Sequence, residues 1–116
     1  MNENLSLSYE ADVLRASLLC EVDHHKARHL REAIDRAVFA HHPKILELDF
    51  SAVRFMDSSG IALILGRSAL GEDLGFLLIL TGLAPMAEKL LRLSGIEGRK
   101  NIIVRRTPGV SGKNRK

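Results

Sequence analysis

The apolar residues of this chain repeat at two different periods, and stretches of each period alternate along the sequence. A period of two sends side chains to alternate faces of a strand, whereas spacings of three and four gather them on one side of a helix. Leu5, Leu7 and Tyr9 alternate with Ser6 and Ser8, which predicts a half-buried strand. Residues 13–20 predict a second strand, rich in Val and Leu, after the connection Glu10-Ala11-Asp12. So short a link predicts an antiparallel hairpin, although the Asn-Gly signature of the strongest turns is missing. Ala27, Leu30, Ile34, Ala37 and Val38 then recur at helical spacing, with Arg28, Arg31, Glu32, Asp35 and Arg36 falling largely elsewhere. Asp23 stands where it caps that helix or sits just before it, and Pro43 closes the region.

The period returns to two over residues 44–50, with Leu46, Leu48 and Phe50 on one face and Ile45, Glu47 and Asp49 on the other. A loop over residues 51–56 leads to Asp57-Ser58-Ser59-Gly60, which opens a second apolar helix from Ile61 to about Leu70, ended by Gly71-Glu72-Asp73. Residues 76–80 are continuously apolar, the pattern of a central strand covered on both faces. Pro85 just inside and Gly95 just past bound a third helix, and Ile102, Ile103 and Val104 make a last strand. The order β-β-α-β-α-β-α-β predicts one α/β domain: a mixed β-sheet whose N-terminal antiparallel hairpin is followed by alternating helices and strands.

A chain of 116 residues suits one such domain, over residues 1–106, with residues 107–116 as a basic, disordered tail. The lone Cys20 can make no intrachain disulfide, and Asn2, Glu3 and Asn4 do not resemble the basic start of a signal peptide. The longest uncharged stretch, residues 74–87, has 14 residues broken by Gly75, Gly82 and Pro85, short of the roughly 20 a membrane span needs. The expectation is a cytoplasmic protein with no membrane association. The net charge of +3 conceals a division: residues 1–98 hold 10 Lys/Arg against 14 Asp/Glu, and residues 99–116 hold the other 7 Lys/Arg and no acid. A basic end can attract nucleic acid. With four Phe, one Tyr and no Trp, however, a base-stacking platform is not expected, nor is direct DNA binding.

Chemistry concentrates in Asp57-Ser58-Ser59-Gly60, where a polar loop meets the first turn of a helix. Free backbone N–H groups and the positive end of the helix dipole lie there, so a phosphate on an exposed serine is tolerated by its own helix. Gly60 is expected to keep the turn open for close approach by a partner. Plain capping by Asp57 or Ser58 accounts for the same residues.

Glu21-Val22-Asp23-His24-His25, residues 55–66 (FMDSSGIALILG) and Leu93-Ser94-Gly95-Ile96 stand in an order that resembles the STAS domain, most closely the sporulation-type anti-sigma factor antagonists. The resemblance covers about residues 5–104. It implies that Ser58 is phosphorylated by an anti-sigma factor that is itself a serine kinase. The unphosphorylated form binds that kinase and frees a sigma factor; phosphorylation breaks the binding and a serine phosphatase resets the switch. The implied output is positive regulation of sigma-dependent transcription in sporulation, with related switches in stress responses. Candidate partner-binding residues are Asp23, as an acid pairing with a basic group of the kinase, and Asp57, Ser58, Ser59 and Gly60; the expectation is a chain that is a monomer when alone, with no cofactor and no metal. For Asp23 the alternative is capping of the first helix. The chain departs from the family at Cys20, where Gly is common, and at Leu74-Gly75, where Gly-Gly is usual; no further helix is signalled after the last strand.

Other constellations point to less. His25 and His29 lie four apart on one helical face and His41-His42 at its end, but the segment lacks the Glu of a zinc-protease motif. A serine-nucleophile enzyme would need an activating base, and the segment is not G-x-S-x-G. Gly60, Gly66 and Gly71 do not form a phosphate-cradling loop with a lysine.

Overall fold

β1 (Leu5–Glu10) pairs antiparallel with β2 (Val13–Leu18), with Leu7 opposite Ala16 and Tyr9 opposite Leu14. The computed structural model describes residues 3–106; the expected tail over residues 107–116 lies outside them. Ala11 and Asp12 both take positive φ, 54° and 68°, as a two-residue hairpin turn demands. The missing Asn-Gly is offset by anchoring of Asp12. Its carbonyl accepts from the backbone N–H groups of Lys44 and Ile45 at 2.9 and 3.2 Å, and its carboxylate from Tyr9 Oη–H at 3.3 Å. β2 ends two residues earlier than its apolar pattern: the Leu19 N–H bond to the Asn4 carbonyl extends its pairing by one rung, and by Val22 the chain has left β1 and bridges to Met56.

The rest alternates: α1 (His24–His41), β3 (Ile45–Asp49), α2 (Ser58–Leu74), β4 (Leu77–Thr81), α3 (Pro85–Ser94), a 3₁₀ turn (Ile96–Gly98) and β5 (Ile102–Arg105). The sheet order is β1-β2-β3-β4-β5, with β2 to β5 mutually parallel. Each crossover steps one strand in the same direction, so right-handed connections place all three helices on one face. Leu14, Leu18, Leu46, Leu48, Phe50, Leu78 and Leu80 meet Leu30, Ile34, Val38, Ile64 and Leu91 there, all nearly inaccessible to solvent. Cover on both faces of residues 76–80 therefore holds only in part: helices cover one face, and on the other Ile79 is 5% exposed while the strand's first residue is open. Leu77 on β4 and Ile103 on β5 point away from the helices and are 41% and 44% exposed. Glu47 on that open face is shielded instead by Arg15, 3.3 Å away, and Arg105, 4.0 Å away.

α2 runs a turn beyond its expected end. Gly71 does not stop the helix: it admits Phe76, whose carbonyl oxygen and ring would lie 2.7 and 2.8 Å from a Cβ at that position. The stop is Gly75 at φ 88°, whose N–H donates to the Gly71 carbonyl at 2.7 Å. One glycine suffices for this left-handed cap, so Leu74 ends the helix without strain. Arg67 of α2 reaches Asp35 of α1, Nε to Oδ1 2.8 Å, with its side chain only 7% exposed. The basic C-terminal stretch is partly neutralised: Arg99 pairs with Glu72 at 3.1 Å, Arg105 with Glu47, and Arg106 with Glu88.

Candidate functional site

α1 and α2 begin in the same way. Asp23 is the N-cap of α1, its Oδ1 accepting from Lys26 N–H at 2.9 Å; Asp57 is the N-cap of α2, its Oδ1 accepting from Ser59 N–H at 2.7 Å. Both take the extended backbone usual for a cap. The residue before each is apolar, and these two, Val22 and Met56, form an isolated parallel bridge. Val22 N–H donates to the Phe55 carbonyl at 3.1 Å and Asp57 N–H to the Val22 carbonyl at 3.3 Å. The bridge ties two helix N-termini side by side at the carboxyl ends of the parallel strands. Sequence reasoning missed it. The repeated pattern of an apolar residue, a capping Asp and a helix start was its available signal.

Ser58, the first residue of α2, is exposed; Asp57, Ser59 and Asp23 are half-buried. The N-termini of α1 and α2 both point to this end, and their summed dipoles favour negative charge beside Ser58. The Lys26 backbone N–H holds the Asp23 carboxyl below the usual carboxylate range, the main cause of its shift. Gly60 differs from its expected role. It is buried, and a Cβ there would overlap Cγ and Sδ of Met56. The glycine makes room for Met56, and through Met56 for the bridge. Gly60→Ala is therefore expected to expel Met56 and lower stability by about 1–3 kcal/mol, measured as a drop in the urea midpoint; a midpoint equal to wild type would refute this role.

Asp23, Asp57, Ser58 and Ser59 are thus brought to one end of the domain, with Gly60 beneath them. A cleft of about 200 Å³ between α1 and α2 begins at Ser59 and is lined by His24, Ala27, Arg28, Arg31 and Leu63. The histidines do not converge: His25 and His29 meet edge to face at 5.3 Å, and His41 stacks on Tyr9 at 4.4 Å. Among the described residues no three His, Cys, Asp or Glu side chains gather as a metal site. No helix among them is long and apolar enough to cross a membrane.

The STAS domain family matches residues 13–106. This chain belongs to the STAS domain family. A curated relative, the anti-sigma F factor antagonist of Paenibacillus polymyxa, is 31% identical over 96 residues, which cover 83% of this STAS domain's chain and 82% of the relative. Among solved structures, the anti-sigma factor antagonist SpoIIAA in its unphosphorylated form is 26% identical, with a TM-score of 0.75 over 91% of this chain and 90% of that one. The Bacillus cell fate determinant SpoIIAA in its phosphorylated form is also 26% identical, with a TM-score of 0.70 over 91% and 93%. The five-stranded mixed sheet with three helices is the STAS fold, as the sequence pattern predicts.

Proposed function

We propose that this STAS domain is an anti-sigma factor antagonist that works as a phosphorylation-controlled partner switch, with Ser58 as the acceptor. The observation that carries this reading is the exposed Ser58 in the first turn of α2, on a loop fixed by the Asp57 cap and the Val22–Met56 bridge. It is supported by relatives that are anti-sigma F factor antagonists, and by a structural relative described in both unphosphorylated and phosphorylated forms.

In this reading the unphosphorylated chain binds an anti-sigma factor that is a serine kinase, in the cytoplasm, and so releases a sigma factor for transcription, in sporulation. Asp23, Asp57, Ser58 and Ser59 face that partner. Phosphorylation breaks the contact and a serine phosphatase restores it. A phosphate adds about −1.5 to −2 charge. The α2 N-terminus accommodates it, so the domain keeps its fold and the change is felt at the partner's surface.

Mass-spectrometric site mapping after incubation with ATP and the purified anti-sigma kinase tests the assignment. The expected product carries one phosphate, on Ser58, and Ser58→Ala carries none. A phosphate on Ser59 alone would move the switch to that residue, and an unmodified chain beside an active kinase would overturn the reading.

A further inference from the structure

Phe55, three residues before Ser58, is 52% exposed, and Met86 on α3 is 78% exposed. Single exposed apolar residues are ordinary, but these two line one cleft of about 260 Å³, together with Val53, Arg54, Met56 and Leu90. Of the residues lining the cleft only Arg54 carries a polar side chain, so the cleft lacks the convergent polar groups that orient a small molecule and suits an apolar protein side chain. On α3, Met86, Leu90 and Leu93 are spaced by four and three and share a face, and Leu93, 76% exposed, extends the apolar stripe a turn further. Met56, which lines the cleft, also makes the bridge that holds the Ser58 loop. Three Cα steps place Phe55 no more than about 11 Å from Ser58. Cleft and acceptor serine are therefore neighbouring parts of one surface. Arg54 on the rim is exposed and has no acidic partner among the described residues, whereas Glu88 of α3 is occupied by Arg92 at 3.7 Å and by Arg106.

We propose that this cleft is the apolar anchor of the interface with the anti-sigma factor, taking one large apolar side chain of that partner with a partner carboxylate set against Arg54. The inference rests on the partner-switch reading and adds to it a division of labour. Phe55 and Met86 supply affinity that does not depend on phosphorylation, and Ser58 supplies the switching charge. An aromatic ring and a pliable thioether at the centre of a contact are the residue types that carry binding energy and adapt to a partner's shape.

The test is titration calorimetry of the purified anti-sigma factor against wild type, Phe55→Ala, Met86→Ala, Met86→Leu, Ser58→Asp and Phe39→Ala. Phe39 is 53% exposed and lies on α1 away from the cleft, so it is a control matched in exposure. The expected result is a loss of at least about tenfold in affinity for Phe55→Ala and for Met86→Ala, with Met86→Leu and Phe39→Ala near wild type and all thermal midpoints unchanged. Both alanine variants within twofold of wild type, while Ser58→Asp binds weakly, would overturn the anchor and leave the switch standing. Loss at Phe55 with Ser58→Asp equal to wild type would keep the anchor and remove the switch. An equal loss in Phe39→Ala would overturn the anchor as a local site, and a wild type that binds no anti-sigma factor would overturn both proposals.

Discussion

Ser58→Asp is expected to weaken binding of the anti-sigma factor by at least about 100-fold, while Ser58→Ala binds as wild type and is refractory to the kinase. The magnitude follows from placing an unpaired charge in a desolvated contact, which costs several kcal/mol, where each 1.4 kcal/mol is a factor of ten. Ser58 is the first residue of α2, directly after the Asp57 cap. A negative side chain there is favoured by the helix dipole by about 0.3–1 kcal/mol. The thermal midpoint of Ser58→Asp should accordingly match or slightly exceed that of wild type. This pairing of weaker binding with undiminished stability separates an interface effect from unfolding. Equal affinity of both variants and wild type would remove Ser58 from the switch, and a lowered midpoint would show that the charge acts on the fold.

Much of this was legible in the sequence because the relevant signals are local. Period-two and period-3.6 patterns mark five strands and three helices, and Asp23, Asp57, Pro85 and Gly95 stand at helix boundaries where capping chemistry needs them. What escaped depends on contacts distant in sequence. Gly71 reads as a helix breaker, yet its role is set by Phe76 packing against it. Gly60 reads as an opening toward a partner, whereas the space it leaves is filled from inside by Met56. Residues 76–80 read as doubly buried, and Ile79 is indeed buried on the face without helices, but a run of apolar residues does not reveal that the helices all cross on one side and leave Leu77 open. The side-by-side placement of the Asp23 and Asp57 caps comes from a single bridge between loops 34 residues apart (22 to 56), and no periodicity reports it.

The relative placement of α1 and α2, on which that juxtaposition depends, is also held by Asp35 and Arg67. Their closest atoms are 2.8 Å apart but off the line of a sound hydrogen bond, so Arg67 Nε, Arg67 Nη1 and Asp35 Oδ1 are buried without one among the described residues. Burial raises the Asp35 carboxyl, with Arg67 and then Arg31 opposing; burial likewise lowers the Arg67 guanidinium, with Asp35 opposing. Desolvation thus outweighs attraction for both partners, the regime in which a buried pair adds little net stability but is costly to break. Breaking a fully buried pair costs about 3–5 kcal/mol. Asp35 retains 27% side-chain exposure, so Arg67→Met is expected to lose roughly 2–3 kcal/mol in urea unfolding at neutral pH. The double variant Arg67→Met, Asp35→Leu should return to within about 1 kcal/mol of wild type, because no lone charge remains. The sign with pH is fixed by the raised Asp35 value: the folded state holds the proton more tightly than the unfolded state, so the residue's contribution to stability falls as pH rises through the carboxylate range. Without Arg67 that value rises further, and the deficit of the single variant should shrink as acid neutralises Asp35. A double variant as unstable as the single one, or a deficit constant with pH, would show that Arg67 acts through packing of its stem and not through its charge.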